Sequence, residues 1–154
     1  MTENAFEPQY PDVLVVFCSD GRFAGRCRQF VERELGISRY DQFIVPGGPA
    51  WLILRSETFT EYDVAKEAVT FLIEAHQIKK VILIAHEDCG FYRHRIFYND
   101  PKDLIATQKR DLKEAGQVLR AWFPELEVRS FYATVRQGTI QLESVKESKE
   151  SIEG

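Results

Sequence analysis

The sequence predicts a single α/β domain over residues 1–154, with a mostly parallel central sheet flanked by helices. Three observations predict it. Two apolar runs, Val13-Leu14-Val15-Val16-Phe17 and Val81-Ile82-Leu83-Ile84-Ala85, are rich in β-branched residues and show no polar alternation, the pattern of strands buried on both faces. Strand-like and helix-like segments then alternate along the chain, as they do in βαβ units. Finally, Val128–Val135 and Thr139–Val145 flank Arg136-Gln137-Gly138, a hairpin signal at the C-terminal end. A strand order of 2-1-3-4, extended by the hairpin strand, sets the first and third strands side by side where the order reverses. Ligands in such sheets bind beyond the carboxyl ends of the strands at that reversal.

Taken in order, residues 1–12 are polar, carry Pro8 and Pro11, and read as an irregular N-terminal arm, free to fray or to wrap a partner subunit. The first strand, Val13–Phe17, leads into a loop at Cys18–Phe23. A helix is expected from about Ala24 to Leu35, with Phe30, Val31 and Leu35 on its apolar stripe and Gly36 as its stop. Asp41–Val45 reads as a short strand ended by Pro46-Gly47-Gly48-Pro49. Ser56 is a candidate N-cap for a helix reaching His76, on which Val64, Ala68, Phe71, Leu72 and Ala75 recur at helical spacing. The strand Lys80–Ala85 delivers His86, and an aromatic, basic loop from Phe91 to Tyr98 follows. Asp100-Pro101 then opens a helix to Trp122, closed by Pro124. The tail, residues 146–154, is charged and expected to be disordered.

Composition removes several classes of function. With 44% hydrophobic and 29% charged residues the chain has ordinary globular content. A net charge of -4 and the lack of a basic block give no support for nucleic-acid binding. The longest apolar runs are about five residues, against the ~20 that a bilayer-spanning helix needs. The acidic start Met1–Glu7 has no apolar core of a secretory signal, so the cytoplasm is the expected compartment. Three cysteines, Cys18, Cys27 and Cys89, are too few and odd in number for a disulfide framework, which favours metal binding or reactivity. Cys27 lies within a helical pattern and reads as a small buried hydrophobe.

The chemistry concentrates where the two buried strands end. One runs into Cys18-Ser19-Asp20-Gly21-Arg22, the other into His86-Glu87-Asp88-Cys89-Gly90. If the strands are neighbours, two thiolates and one imidazole meet at the sheet edge, a ligand set suited to one zinc ion with a fourth position left for water. Zinc lowers the pKa of that water to about 7. Asp20 is close enough to Cys18 either to accept a hydrogen bond from the resulting hydroxide or to take the fourth position itself. Arg22 is placed to clamp the carboxylate in a bidentate pair. The structural alternatives are a helix N-cap and a surface ion pair for Asp20 and Arg22, and a buried polar cap and a core thiol for His86 and Cys89.

Cys18-x-Asp20-x-Arg22 together with His86-x-x-Cys89-Gly90 resembles the β-class carbonic anhydrases, from about Val13 to the hairpin near Leu142. The resemblance implies one zinc per chain on Cys18, His86 and Cys89, with Asp20 and Arg22 as a catalytic dyad. It implies reversible hydration of carbon dioxide to bicarbonate by a zinc-bound hydroxide, in a homodimer or higher homo-oligomer. Gly47, Gly48 and Gly90 are candidates to present backbone amides to substrate, although a tight turn explains the first two equally. Where the family commonly has Arg-Asn-Ala-Gly, this chain has Val45-Pro46-Gly47-Gly48, and Phe91 to Arg95 are bulky and basic. Two other outcomes stay open: a non-catalytic zinc protein, and a hydrolase of the linear analogues carbonyl sulfide or carbon disulfide. Cys89-x5-Arg95 also matches a cysteine-phosphatase spacing, but Phe91-Tyr92-Arg93-His94 is too bulky to cradle a phosphate with backbone amides. His76 and His94 read as structural or solvated, and Trp51, Phe23, Phe91 and Tyr92 as core or interface.

Overall fold

The computed structural model describes residues 5–96 and 101–146. Five strands form one sheet in the order β2-β1-β3-β4-β5. They are β1 (Val13–Cys18), β2 (Asp41–Val45), β3 (Lys80–His86), β4 (Glu127–Arg136) and β5 (Thr139–Val145). β1 pairs in parallel with both β2 and β3, β3 pairs in parallel with β4, and β4 turns back antiparallel onto β5. The expected order and the hairpin are both present. Gln137 (φ 52°) and Gly138 (φ 76°) are both left-handed, the two-residue turn whose twist suits a hairpin.

Helices cover both faces, so all of β1 and nearly all of β3 are buried. On one face Val13, Val15, Phe17, Ile82 and Ile84 pack against α1 (Gly21–Gln29). On the other, Leu14, Val16, Val81 and Leu83 pack against α2 (Phe59–Ala75) and α3 (Pro101–Trp122). Each fully buried Leu, Ile, Val or Phe here contributes roughly 1.5–3 kcal/mol relative to exposure.

Four expectations need correction. The first helix begins at Gly21 rather than Ala24, because Asp20 caps it. Its last turn, Phe30–Glu34, widens into a π turn in which Leu35 N–H donates to Phe30 O at 3.0 Å, before Gly36 (φ 70°) ends it. Ser56 is no N-cap: Ser56–Thr58 form a separate 3-10 turn, and the Ser56 hydroxyl bonds to Glu57 instead. The core face of α2 is shifted in phase. Ala65, Val69 and Ile73 are buried, while Val64 and Phe71 face outward, Phe71 with 62% of its surface exposed. This helix carries two apolar stripes, and periodicity alone does not say which faces the sheet. Finally, β3 extends through His86 and β4 spans Glu127–Arg136, each slightly longer than expected.

The arm from residue 5 to 12 is irregular and tied down by Arg39, whose guanidinium donates to the carbonyls of Glu7 and Gln9. Tyr10 stacks on His76, ring centroids 3.9 Å apart, and His76 Nδ1 meets Asp41 Oδ2 at 2.5 Å, a structural role for this histidine. The expected tail from 147 onward, the start of the arm, and Tyr98 and Asp100 lie outside the described residues.

Candidate metal centre

Strand register brings the two motifs together. Phe17 is paired with Ile84, so the chain leaves β1 at Cys18 beside the end of β3 at His86. The pleat carries Cys18 on the side of Leu14 and Val16, and His86 on the side of Ile82 and Ile84. The two side chains therefore approach each other around the carboxyl edge of the sheet. Cys89 comes back to them because Asp88 adopts a left-handed conformation (φ 55°) that folds the loop, which then winds into a helical turn at Gly90.

One ligand atom each from Cys18, His86 and Cys89 lies within 4.8 Å of the others, and all three residues are buried. The three side chains have different surroundings. His86 Nδ1 faces the carbonyl of Glu87 at 2.7 Å, and since a carbonyl only accepts, Nδ1 is the donor there and Nε2 is the nitrogen left for another partner. That Nε2 is buried and has no hydrogen-bond partner. An orphaned buried acceptor costs about 1–3 kcal/mol and fits a site whose missing partner is a metal. A hydrogen bond from the Cys89 thiol pulls the Cys18 thiol down to about 4, against the opposing effect of burial. The Gly47 amide, which donates to Cys18 Sγ at 3.2 Å, lowers it further. The same bond, with burial, raises the Cys89 thiol. Of the two thiols Cys18 is thus the more readily ionised, and binding one cation through both sulfurs would release protons. Two sulfurs and an imidazole nitrogen match the donor preference of zinc.

Asp20 and Arg22 sit at the start of α1. Asp20 is the N-cap, its Oδ1 accepting from Arg22 N–H at 2.9 Å, and the Arg22 guanidinium grips both carboxylate oxygens, with Nη2 to Oδ2 at 2.7 Å. The cap and ion pair weighed as structural alternatives are therefore both formed, and they also fix the carboxylate: Asp20 Oδ2 lies 3.8 Å from His86 Nε2. The Arg22 side chain holds the Asp20 carboxyl down to about 2, burial opposing.

The glycines are used at close quarters. Gly48 (φ 50°) lies so near the end of β1 that a Cβ would fall 2.7 Å from the carbonyl carbon of Phe17. Gly47 (φ 87°) lies beneath the Phe91 ring, and its amide is engaged with Cys18. At Gly90 the nearest group is the His94 ring, and His94 itself is exposed. Phe91 packs against an apolar cluster of Cys18, Ala50, Cys89, Tyr92, Ile96 and Leu104. Trp51 donates its indole N–H to Pro46 O at 2.7 Å, and Phe23 stacks on the His86 ring at 4.2 Å.

Sequence reasoning missed the groups behind these residues. Gln108 donates to His86 O at 2.8 Å and accepts from the Tyr132 hydroxyl at 2.6 Å, all within the core. Tyr92 donates to Asp111 Oδ2 at 2.6 Å, and Asp111 is ion-paired with Arg55. The signal was present: Gln108 and Asp111 are polar residues on the buried stripe of α3 that contains Leu104, Leu112, Ala115 and Leu119. Asp88, which binds both Arg22 and Arg93, was also passed over.

Residues 9–146 match a family model described as "Putative carbonic anhydrase". A curated relative, an uncharacterized protein of Rickettsia bellii, is 25% identical over 127 residues, covering 77% of this chain and 73% of its own. Among solved structures, a β-carbonic anhydrase of Aspergillus fumigatus superposes with a TM-score of 0.55 at 16% identity, covering 94% of this chain and 81% of its own. One of two tetrameric β-carbonic anhydrases from Sordaria macrospora gives 0.54 at 16% identity, covering 87% and 81%. At such identities the structural likeness establishes the fold.

Proposed function

This chain belongs to that carbonic anhydrase family, and from that premise we propose that it catalyses the zinc-dependent, reversible hydration of carbon dioxide to bicarbonate. The supporting observation is the buried Cys18, His86 and Cys89 donor set, with His86 Nε2 left without a partner. When bound there, zinc supplies Lewis acidity that brings the pKa of water close to 7, making hydroxide available at neutral pH.

The remaining work falls to the chain's own residues. The Asp20 carboxylate, with Oδ2 3.8 Å from His86 Nε2, would accept a hydrogen bond from the nucleophilic water and orient it toward substrate. Arg22 holds that carboxylate through both oxygens, which fixes its direction and would keep it from joining the ligands. Phe91, Tyr92, Ile96 and Leu104 pack beside Cys18 and Cys89 and give the donor set an apolar flank. With the Gly47 amide occupied by Cys18, Gly48 and Gly90 are the glycines left to offer backbone contacts to substrate.

The test is stopped-flow carbon dioxide hydration on protein of measured zinc content, at pH 7 and above pH 8. Activity that disappears in Cys18→Ser and Asp20→Ala supports the proposal. Stoichiometric zinc without carbon dioxide turnover at either pH refutes it and leaves a hydrolase of the sulfur analogues or a non-catalytic zinc protein. A second reading, hydrolysis of carbonyl sulfide or carbon disulfide, is favoured by one observation: the Phe91 ring roofs Gly47 and makes the surroundings apolar. Turnover of the sulfur compounds without carbon dioxide hydration would select it.

We further propose a homodimer or larger homo-oligomer of a single catalytic domain. Phe6, Tyr10, Leu54, Phe59 and Phe71 are large apolar residues left exposed, and the Sordaria relatives are tetrameric. Among the described residues no helix is long and apolar enough to cross a membrane. Cytoplasmic residence is part of the proposal, supported by three unpaired thiols that a reducing compartment would preserve.

A further inference from the structure

The Arg22 guanidinium does not end at Asp20. Its Nε and Nη2 edge grips Asp20, while Nη1 donates to Asp88 Oδ2 at 3.2 Å and Nη2 reaches Asp88 O, also at 3.2 Å. Asp88 belongs to the other loop, between His86 and Cys89, and its second oxygen is taken by Arg93. One planar group therefore joins the loop after β1 to the loop after β3.

This matters because Arg22 is a poor anchor by itself. Its side chain is 60% exposed on a long rotamer-rich stem, and Asp20 is only two residues away, so the forked pair alone would be free to shift relative to the loop after β3. A second carboxylate on the opposite edge removes that freedom. Asp88 also holds an uncommon backbone conformation (φ 55°), one that Asp tolerates better than most residues and that aims its side chain back toward α1.

We propose that Asp88 is a positioning residue: it fixes the Arg22 guanidinium from the ligand loop, and thereby fixes the Asp20 carboxylate relative to the metal ligands. The inference rests on the role proposed above for Asp20. It extends the dyad to a chain of Asp20, Arg22 and Asp88 that closes on the same loop as His86 and Cys89. Asp88 does not touch substrate.

Two variants separate this from a merely structural role. Asp88→Gly removes the carboxylate while suiting the left-handed backbone, and Asp88→Asn keeps an acceptor but no charge. Both are loaded with zinc and assayed for metal content, steady-state hydration, and the 1H–15N Nε–H signal of Arg22, assigned through Arg22→Lys. The expected result is stoichiometric zinc in both. In Asp88→Gly the Arg22 Nε–H signal broadens or disappears, and kcat falls by about 10- to 100-fold with KM little changed. Asp88→Asn lies between it and the parent. Melting temperatures shift by no more than about 3 °C, since these ion pairs are largely exposed. An unchanged Arg22 signal in Asp88→Gly overturns the proposal, whatever the activity. So does loss of zinc, which would make Asp88 a support for the ligands, or an altered signal with full kcat. A parent protein that hydrates no carbon dioxide removes the reaction itself, while the Nε–H signal still decides whether Asp88 holds Arg22.

Discussion

At the scale of single residues, neighbouring groups of one kind have opposite fates. Cys27 lies 2% exposed on α1, and burial pushes its thiol up to about 12, so at neutral pH it is an unreactive hydrophobe. Alkylation of the native, metal-free protein at pH 8, followed by mass mapping, should therefore leave Cys27 unmodified and label Cys18 first. Cys89→Ser should lose stoichiometric zinc by elemental analysis. Asp20→Ala should keep zinc yet lose most turnover. Because Arg22 lowers the Asp20 carboxyl, the pair adds stability above the unfolded carboxylate pKa of about 3.9, and that contribution disappears as pH falls toward about 2. Asp20 is ionised at pH 7 with or without Arg22. Activity lost in Arg22→Ala at neutral pH would thus report misplacement of the carboxylate rather than its protonation, and a pH–rate profile unchanged in shape but lower in height would confirm that.

At the scale of elements, the site depends on close approach and on a buried polar brace. Gly48→Ala would force a side chain onto the backbone of β1 at a left-handed φ, and should cost about 2–3 kcal/mol in urea denaturation. Gln108→Leu strands the His86 carbonyl and the Tyr132 hydroxyl in the core. It should cost about 2–4 kcal/mol and weaken zinc retention, measured by chelator competition. These elements differ in how far the sequence revealed them. β1 and β3 were legible because burial on both faces leaves an unbroken β-branched run, and the Cys18 and His86-x-x-Cys89 segments that the fold brings together begin where those runs stop. The start of α1 was misjudged because Asp20 was weighed mainly as chemistry, although an Asp before Gly21-Arg22 is also a cap. The α2 phase was not legible, since Val64 and Phe71 are as apolar as the residues that face the core. Gln108 was marked in the sequence as a polar residue on an apolar stripe, but its partner, like that of Asp88, follows only from tertiary structure.

For the whole molecule, the misassigned stripe of α2 becomes informative. Phe71 and Val64, with Phe59, Leu54 and the arm residues Phe6 and Tyr10, remain exposed in the single chain. If they are covered by a second copy, the melting temperature rises with protein concentration. Phe71→Glu should then lower the mass seen in sedimentation while leaving the far-ultraviolet spectrum unchanged. An unaltered mass would dissociate this face from assembly.

The two ligand loops meet only after β3 has docked beside β1, a parallel pairing that spans the first helix, β2 and α2. Such non-local pairing forms late, after much of the loop-closure entropy has been lost. An ion that needs donors from both loops would therefore latch the fold rather than seed it. Zinc would leave the refolding rate nearly unchanged and slow unfolding, so that its contribution appears as persistence of the native state in time.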